Sequence, residues 1–223
     1  DSAGASDSKA VAVTVTDVNE APSVALSGTT TSLAEDADTT SRTKVADIDV
    51  TDDALGTETL SLSGTDAALF EIFDGDLYLL AGASLDFEAN GTLDVTVSVD
   101  DAAIPGSPDD STSLQIAVTD VNEAPVLTVT SPGVSVAENG TAVAAGISAA
   151  DADAGDTLTY SVEGTDAALF DIVSTTGVLS FKAAPNFEAP SDNGGDNVYD
   201  ITVKVTDSAG ASDSKAVAVT VTD

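Results

Sequence analysis

Seventeen residues, DSAGASDSKAVAVTVTD, occupy positions 1–17 and recur without a change at 207–223. A single globular body has no need of such an echo, whereas a chain assembled from successive copies of one unit produces it. Other landmarks recur in the same order at a spacing of 100 to 103 residues. TDVNEAP occurs at 16–22 and at 119–125, and Asp17, Asp120 and Asp223 follow one another every 103 residues. Glu35 in SLAED and Glu138 in SVAEN keep that spacing, GTDAALF appears at 64–70 and 164–170, and Phe87-Glu88-Ala89 returns at 187–189. Solenoid repeats run to about 20–50 residues, so a period of this length indicates tandem domains. The expected division is 1–17, the last strand of a preceding repeat, then one repeat over 18–120 and another over 121–223.

Each repeat reads as β structure. TLDVTVSV (92–99), SLQIAV (113–118), YDITVKV (199–205) and AVAVTV (10–15 and 216–221) place apolar residues at every second position, the pattern of a half-buried strand. LFEIF and LYLL, then LFDIV and VLSF, are shorter strands divided at Asp74-Gly75 and Thr176-Gly177. No segment keeps a 3.6-residue period. About seven short strands in about 100 residues is the size and rhythm of an immunoglobulin-like β-sandwich, so the predicted fold is all-β, two Greek-key sandwiches in tandem.

Composition narrows the function. There are 39 acidic residues against 6 basic ones, a net charge of −33, and such a surface repels nucleic acid and anionic membranes. The chain is nevertheless 42% hydrophobic, enough for a packed core rather than an acidic disordered coil. It has neither Cys nor His, which removes disulfides, thiolate chemistry, Ser-His catalysis and the common zinc sites. Neither a signal peptide nor an apolar run of about 18 residues is visible, so direct membrane insertion is not expected.

The acids are not scattered. Each repeat has an early Glu (Glu35, Glu138) and an Asp-x-Asp expected in a loop after the second strand (Asp47-Ile48-Asp49, Asp151-Ala152-Asp153). Each also has a polar residue before Phe-Glu (Asp86-Phe87-Glu88, Asn186-Phe187-Glu188) and an Asp ending the sixth strand (Asp101, Asp207). Asp-Val-Asn-Glu-Ala-Pro lies between the repeats. Together these resemble the cadherin repeat, with its early Glu, D-x-D, LDRE and D-x-N-D-N-A-P linker. Here LDFE (85–88), DADAGD (151–156) and DVNEAP stand in for them. The resemblance covers both repeats, and its flavour is that of the cadherin-like repeats of large bacterial surface proteins.

That resemblance implies Ca²⁺ between successive repeats, several ions to a junction, and carboxylate, amide and carbonyl oxygens suit this hard cation. The complete junction would use Glu35, Asp86 and Glu88, then Asn122, Glu123 and the Val121 carbonyl, then Asp151, Asp153 and Asp207. The upper junction would use Asn19, Glu20, Asp47, Asp49 and Asp101, and the lower one Glu138, Asn186 and Glu188. The linker is one residue shorter than the family's, Asn186 replaces an Asp, and VTDDALGTE adds residues after the first Asp-x-Asp. Asp192-Asn193-Gly194-Gly195-Asp196-Asn197, found only in the second repeat, reads as a hairpin loop or a further calcium loop.

The expected function is a calcium-stiffened stalk or fibre segment of an extracellular bacterial adhesin, with no enzymatic activity. Its partners are neighbouring cadherin-like repeats in the same or an adjacent chain. The alternative is a calcium-dependent binding module for polysaccharide or for like domains. Absence of Trp weighs against a sugar platform, and a two-carboxylate glycosidase would need a deep cleft. Residues 9–16 (KAVAVTVT) read as a lone last strand. It either belongs to a longer array or completes a neighbouring subunit by strand addition.

Overall fold

The structure, a computed structural model, describes residues 2–4 and 6–223. Two compact units are present, Asp1–Thr119 and Asp120–Asp223.

In the first unit the strands are β1 (Ser23–Ser27), β2 (Ser32–Ala34), β3 (Thr43–Thr51), β4 (Glu58–Ser63), β5 (Phe70–Phe73), β6 (Asp76–Leu79), β7 (Thr92–Asp101) and β8 (Asp110–Thr119). They form two four-stranded sheets, ordered β1-β3-β6-β5 and β2-β8-β7-β4. All pairs are antiparallel except β2 with β8. The period of two decides what lies inside. Leu93, Val95, Val97 and Val99 of β7 and Leu114, Ile116 and Val118 of β8 are all buried, against Val45, Phe70, Leu77 and Leu79. Asp74 and Gly75 both take positive φ (53° and 86°), so the β5–β6 connection is the tight turn that Asp-Gly favours.

The second unit has β9 (Val126–Val129), β10 (Gly133–Ala137), β11 (Ala142–Val143), β12 (Ile147–Ala150), β13 (Thr159–Glu163), β14 (Phe170–Ile172), β15 (Leu179–Phe181), β16 (Val198–Thr206) and β17 (Ser212–Thr222). One sheet runs β10-β17-β16-β13, with β11-β15-β14 and the pair β12-β9 completing the unit. β17 lies antiparallel to β16 and parallel to β10. The core is aromatic where the first unit's is aliphatic. Phe170 and Phe181 have ring centroids 4.3 Å apart, and Tyr199 meets Phe181 edge-on at 5.0 Å. The Tyr199 hydroxyl bonds Ser191 at 3.3 Å, which satisfies the polar end of a fully buried ring.

GTDAALF does one structural task twice. Its Ala-Ala-Leu forms a short 3-10 helix in each unit (Ala67–Leu69, Ala167–Leu169). Asp66 accepts the Asp94 N–H (2.7 Å) and the Asn90 side-chain amide (2.9 Å), and Asp166 accepts the N–H groups of Asp200 (2.7 Å) and Asn193 (2.8 Å). Each motif is thereby pinned to the start of a long strand, β7 in the first unit and β16 in the second. Gly64 sits at φ 110° with backbone pressed on it, since a Cβ there would lie 2.8 Å from the Asp94 carbonyl oxygen.

The N-terminal segment differs from its copy. Among the described residues, 6–22 form no strand, and Val11, Val13 and Val15 are 81%, 83% and 91% exposed.

Candidate metal centres

β7 carries its inward parity one step past Val99, to Asp101, and the parity of β16 continues past Val205 to Asp207, the residue just after its end. The alternation that buries the valines therefore also buries a carboxylate at the strand end, and Asp101 and Asp207 are only 1% and 6% exposed. A buried carboxylate needs donors. Asp101 accepts the side-chain amide of Asn19 at 2.7 Å and the N–H groups of Ala103 (3.0 Å) and Thr57 (3.3 Å). Asp207 accepts the amide of Asn122 at 3.0 Å and the N–H groups of Ala211 (2.8 Å) and Gly210. The Ala103 N–H and the Asn19 amide hold Asp101 below the usual carboxylate range, and the Asn122 amide chiefly does so for Asp207. In each unit a linker Asn is thus fastened to the last residue of the core.

The next linker residue is fastened to a loop. The Glu20 N–H donates to Asp53 at 3.1 Å and the Glu123 N–H donates to Asp153 at 2.9 Å. Carboxylates then collect. Asp17, Glu20 and Asp53 bring one oxygen each within 4.8 Å of one another, as do Asp151, Asp156 and Asp207. Glu20, hydrogen-bonded to Asp53, is pushed above its ordinary pKa, the response of one carboxyl forced against another. Asp53 is held low, chiefly by the Leu55 N–H.

Several oxygens at these ends are buried and meet no donor: Asn19 Oδ1, Asp52 Oδ1 and Asp100 Oδ1 in the first unit, Asp151 Oδ2 and Asp156 Oδ2 in the second. Every one is an acceptor. A hard cation with oxygen-only coordination matches such a set, and nothing in it suits a soft metal.

Antiparallel β7 and β8 put the other acids at the opposite end of each unit. Glu35 donates its N–H to the Thr119 carbonyl (3.1 Å) and its carboxylate accepts the Phe87 N–H (2.8 Å), while Asp86 accepts the Ala89 N–H (2.8 Å) beside exposed Glu88. The second unit repeats this. The Glu138 N–H meets the Thr222 carbonyl (2.7 Å), its carboxylate accepts the Phe187 N–H (3.1 Å), and Asn186 accepts the N–H groups of Glu188 (2.9 Å) and Ala189 (3.2 Å). Glu138, Glu188 and Asp223 bring carboxylate oxygens within 4.8 Å.

Residues 122–220 match the bacterial Ig domain family. No curated protein matches the chain. Among solved structures, the chain is similar to the protocadherin gammaB7 EC3-6 cis-dimer structure (25% identity, TM-score 0.64), with 92% of this chain covering 51% of that one. It is also similar to mouse cadherin-23 EC22-24 (25%, TM-score 0.59, 92% covering 65%) and to human protocadherin-24 EC1-2 (24%, TM-score 0.60, 92% covering 99%). The chain is a tandem of cadherin-like repeats. It spans about half the length of the protocadherin gammaB7 chain it matches.

Within this cadherin-like pair, one expected placement changes. Asp47-Ile48-Asp49 is not in a loop. It lies inside β3, paired with β1, where Asp49 accepts the Ser27 hydroxyl (2.6 Å) and Asp47 takes the Lys44 ammonium (2.6 Å). The loop acid bonded to the linker of the first repeat is Asp53. Aligning the repeats on GTDAALF, which returns after 100 residues, sets Asp53 against Asp153. Matching Asp-x-Asp by shape sets the wrong residues together, because the first repeat carries its extra residues on the far side of the strand. The same alignment sets Gly56 against Asp156, and a Cβ at Gly56 would collide with the Asp101 carboxylate. Asp17, Asp52, Asp53, Asp156 and Asp223 join the acidic ends without having been anticipated. The recurrence of Asp17 and Asp223 every 103 residues was the signal for those two. Asp192-to-Asn197 closes on itself: the Asp192 carboxylate accepts the N–H groups of Asp196 and Asn197, each at 3.1 Å.

Proposed function

We propose that this pair of repeats is a calcium-binding, calcium-stiffened segment of a stalk, fibre or adhesin on a bacterial surface. The observation that carries the reading is the set of buried, donorless oxygens at the acidic ends, above all Asp151 Oδ2 and Asp156 Oδ2 in the cluster with Asp207. Carboxylates held this close repel one another, and a divalent cation removes the repulsion while completing their coordination. Linker residues Asn19, Glu20, Asn122 and Glu123 are already tied to acids at these ends, Asp101, Asp53, Asp207 and Asp153 respectively. Calcium at each linker would join the segments it touches and stiffen a tandem array. Extracellular calcium modules bind with Kd around 10⁻⁴–10⁻³ M, so millimolar calcium outside a cell would saturate them. Match of the second repeat to the bacterial Ig domain family supports the bacterial surface setting.

Calorimetric titration with calcium, together with small-angle scattering in calcium and in chelator, tests the reading. Saturable millimolar-range binding and a longer, narrower particle distribution in calcium are expected. Identical scattering profiles in the two conditions would end the stiffening mechanism.

A second reading, association with like domains, is supported by the cis-dimer described for protocadherin gammaB7. Sedimentation of the intact pair in calcium separates it from a purely structural segment, which stays monomeric.

A further inference from the structure

The chain contains three Asn-Gly steps, Asn90-Gly91, Asn139-Gly140 and Asn193-Gly194. Asparagine is a thermolabile residue, and most of all before glycine, which has no Cβ to keep its nitrogen away from the neighbouring side-chain amide. Whether such a step reacts in a folded protein depends on what holds the amide and that nitrogen.

The fold holds two of the three. Asn90 is half-buried, its amide donates to Asp66 (2.9 Å), and its Oδ1 accepts the Thr92 N–H (3.4 Å). Asn139 is exposed, but it sits at φ 64° with its N–H on the Pro185 carbonyl (3.0 Å). The Gly140 nitrogen beside it donates to the Ala137 carbonyl (3.1 Å).

Asn193 lies 103 residues after Asn90 and serves the matching anchor, Asp166 in place of Asp66, through a different group. Asn90 gives its side chain, whereas Asn193 gives its main-chain N–H at 2.8 Å. That exchange frees the Asn193 amide. The residue is exposed, and among the described residues neither its side chain nor the Gly194 N–H has a hydrogen-bond partner in the protein.

We propose that Asn193 is a site of spontaneous covalent modification in the folded protein. The Gly194 nitrogen attacks Asn193 Cγ. The N–Cγ bond forms, the Cγ–Nδ2 bond breaks, and Nδ2 leaves as ammonia with the proton that the Gly194 nitrogen gives up, which closes a succinimide ring. Water, the one co-reactant, then opens the ring at either carbonyl. The product is aspartate or, with the main chain rerouted through Cβ and Cγ, isoaspartate. Each gains one negative charge close to Asp192 and Asp196, whose carboxylate oxygens lie 3.3 and 3.1 Å from where a Cβ on Gly194 would sit. The Asp166 anchor survives, because the main-chain N–H of residue 193 takes no part. The loop peculiar to the second repeat therefore gains charge with age while its unit stays folded. No bound ion enters the argument, so the inference stands apart from the calcium reading.

The test holds the full chain folded in mildly alkaline buffer with chelator and follows each step by peptide mapping, with isoaspartate labelled by a protein isoaspartyl methyltransferase. Isoaspartate should accumulate several-fold faster at 193 than at 90 or 139. Ion exchange should show a matching acidic species that is lost in Asn193→Gln. In urea the three rates should converge, because every amide and nitrogen is then free. The proposal is overturned if Asn90 or Asn139 converts as fast as Asn193 in the folded chain, if the ranking is unchanged in urea, or if the acidic species persists in Asn193→Gln.

Discussion

Asn122 donates its side-chain amide to the buried carboxylate of Asp207 at 3.0 Å, as Asn19 does to Asp101 at 2.7 Å. A linker residue and the end of a core strand are therefore one structural element in each repeat. Asn122→Ala removes the chief donor to a carboxylate that is otherwise held by the N–H groups of Gly210 and Ala211. The melting temperature of the second unit should fall in chelator while that of the first stays in place, by differential scanning calorimetry. Equal shifts in both transitions would contradict this coupling.

Asp53 and Asp49 make opposite predictions for calcium. Asp53 contacts the Glu20 N–H and clusters with Asp17 and Glu20, whereas Asp49 is engaged with Ser27 inside β3. Asp53→Asn should weaken binding at the first repeat about tenfold, the scale of losing one charged ligand from such a site. Asp49→Asn should leave the binding isotherm unchanged. The reverse ranking in calorimetric titration would restore the Asp-x-Asp assignment.

Acid should unfold the pair through a small set of carboxylates. Asp101, Asp207 and Asp213 are held below the ordinary 3.8 by their hydrogen-bond donors. As pH falls, the unfolded chain takes up protons at these positions before the folded one does. Their stabilising contribution is present above 3.8 and is lost as pH falls through the lower folded values. Glu20 has the opposite sign. Its folded pKa lies above 4.5, so its contribution is present below 4.5 and is lost as pH rises through the folded value. The urea midpoint in chelator should drop between about pH 4 and pH 2, and a flat midpoint across that range would contradict the assignment. Calcium should relieve the Glu20–Asp53 repulsion at neutral pH.

Gly64 and Gly75 both have positive φ, but only Gly64 is pressed by backbone. Gly75→Ala meets open space and costs the conformational strain of about 1 kcal/mol. Gly64→Ala must in addition displace the Asp94 carbonyl and should cost at least about 2 kcal/mol. Chemical denaturation of the first unit checks the order. Equal destabilisation by the two substitutions would mean that the GTDAALF turn yields easily.

The long strands were legible because each carries large apolar residues at every second position, Leu93 to Val99 in β7, Leu114 to Val118 in β8, Tyr199 to Val205 in β16 and Val217 to Val221 in β17, and a two-residue period leaves one face to bury. The inward position of Asp101 and Asp207 follows from the same count, continued one step past the last valine. The Asp-x-Asp correspondence was not legible. Asp49 and Asp153 share a local pattern, and whether an acid sits within a strand or beyond its end depends on how far β3 stays paired with β1.

The duplicated seventeen residues mark the boundary between the two kinds of information. The sequence alone determined that KAVAVTVT can be a strand and that its valines share one face, because those properties reside in the residues themselves. It also determined the 103-residue register of the linkers. Only the tertiary structure decided that Val219 is buried while Val13 is exposed, since burial belongs to the neighbours: β10 and β16 flank the second copy, and among the described residues no strand flanks the first. Identical chemistry yields a core strand where a slot supplies hydrogen-bond partners and apolar walls, and an exposed segment where none does.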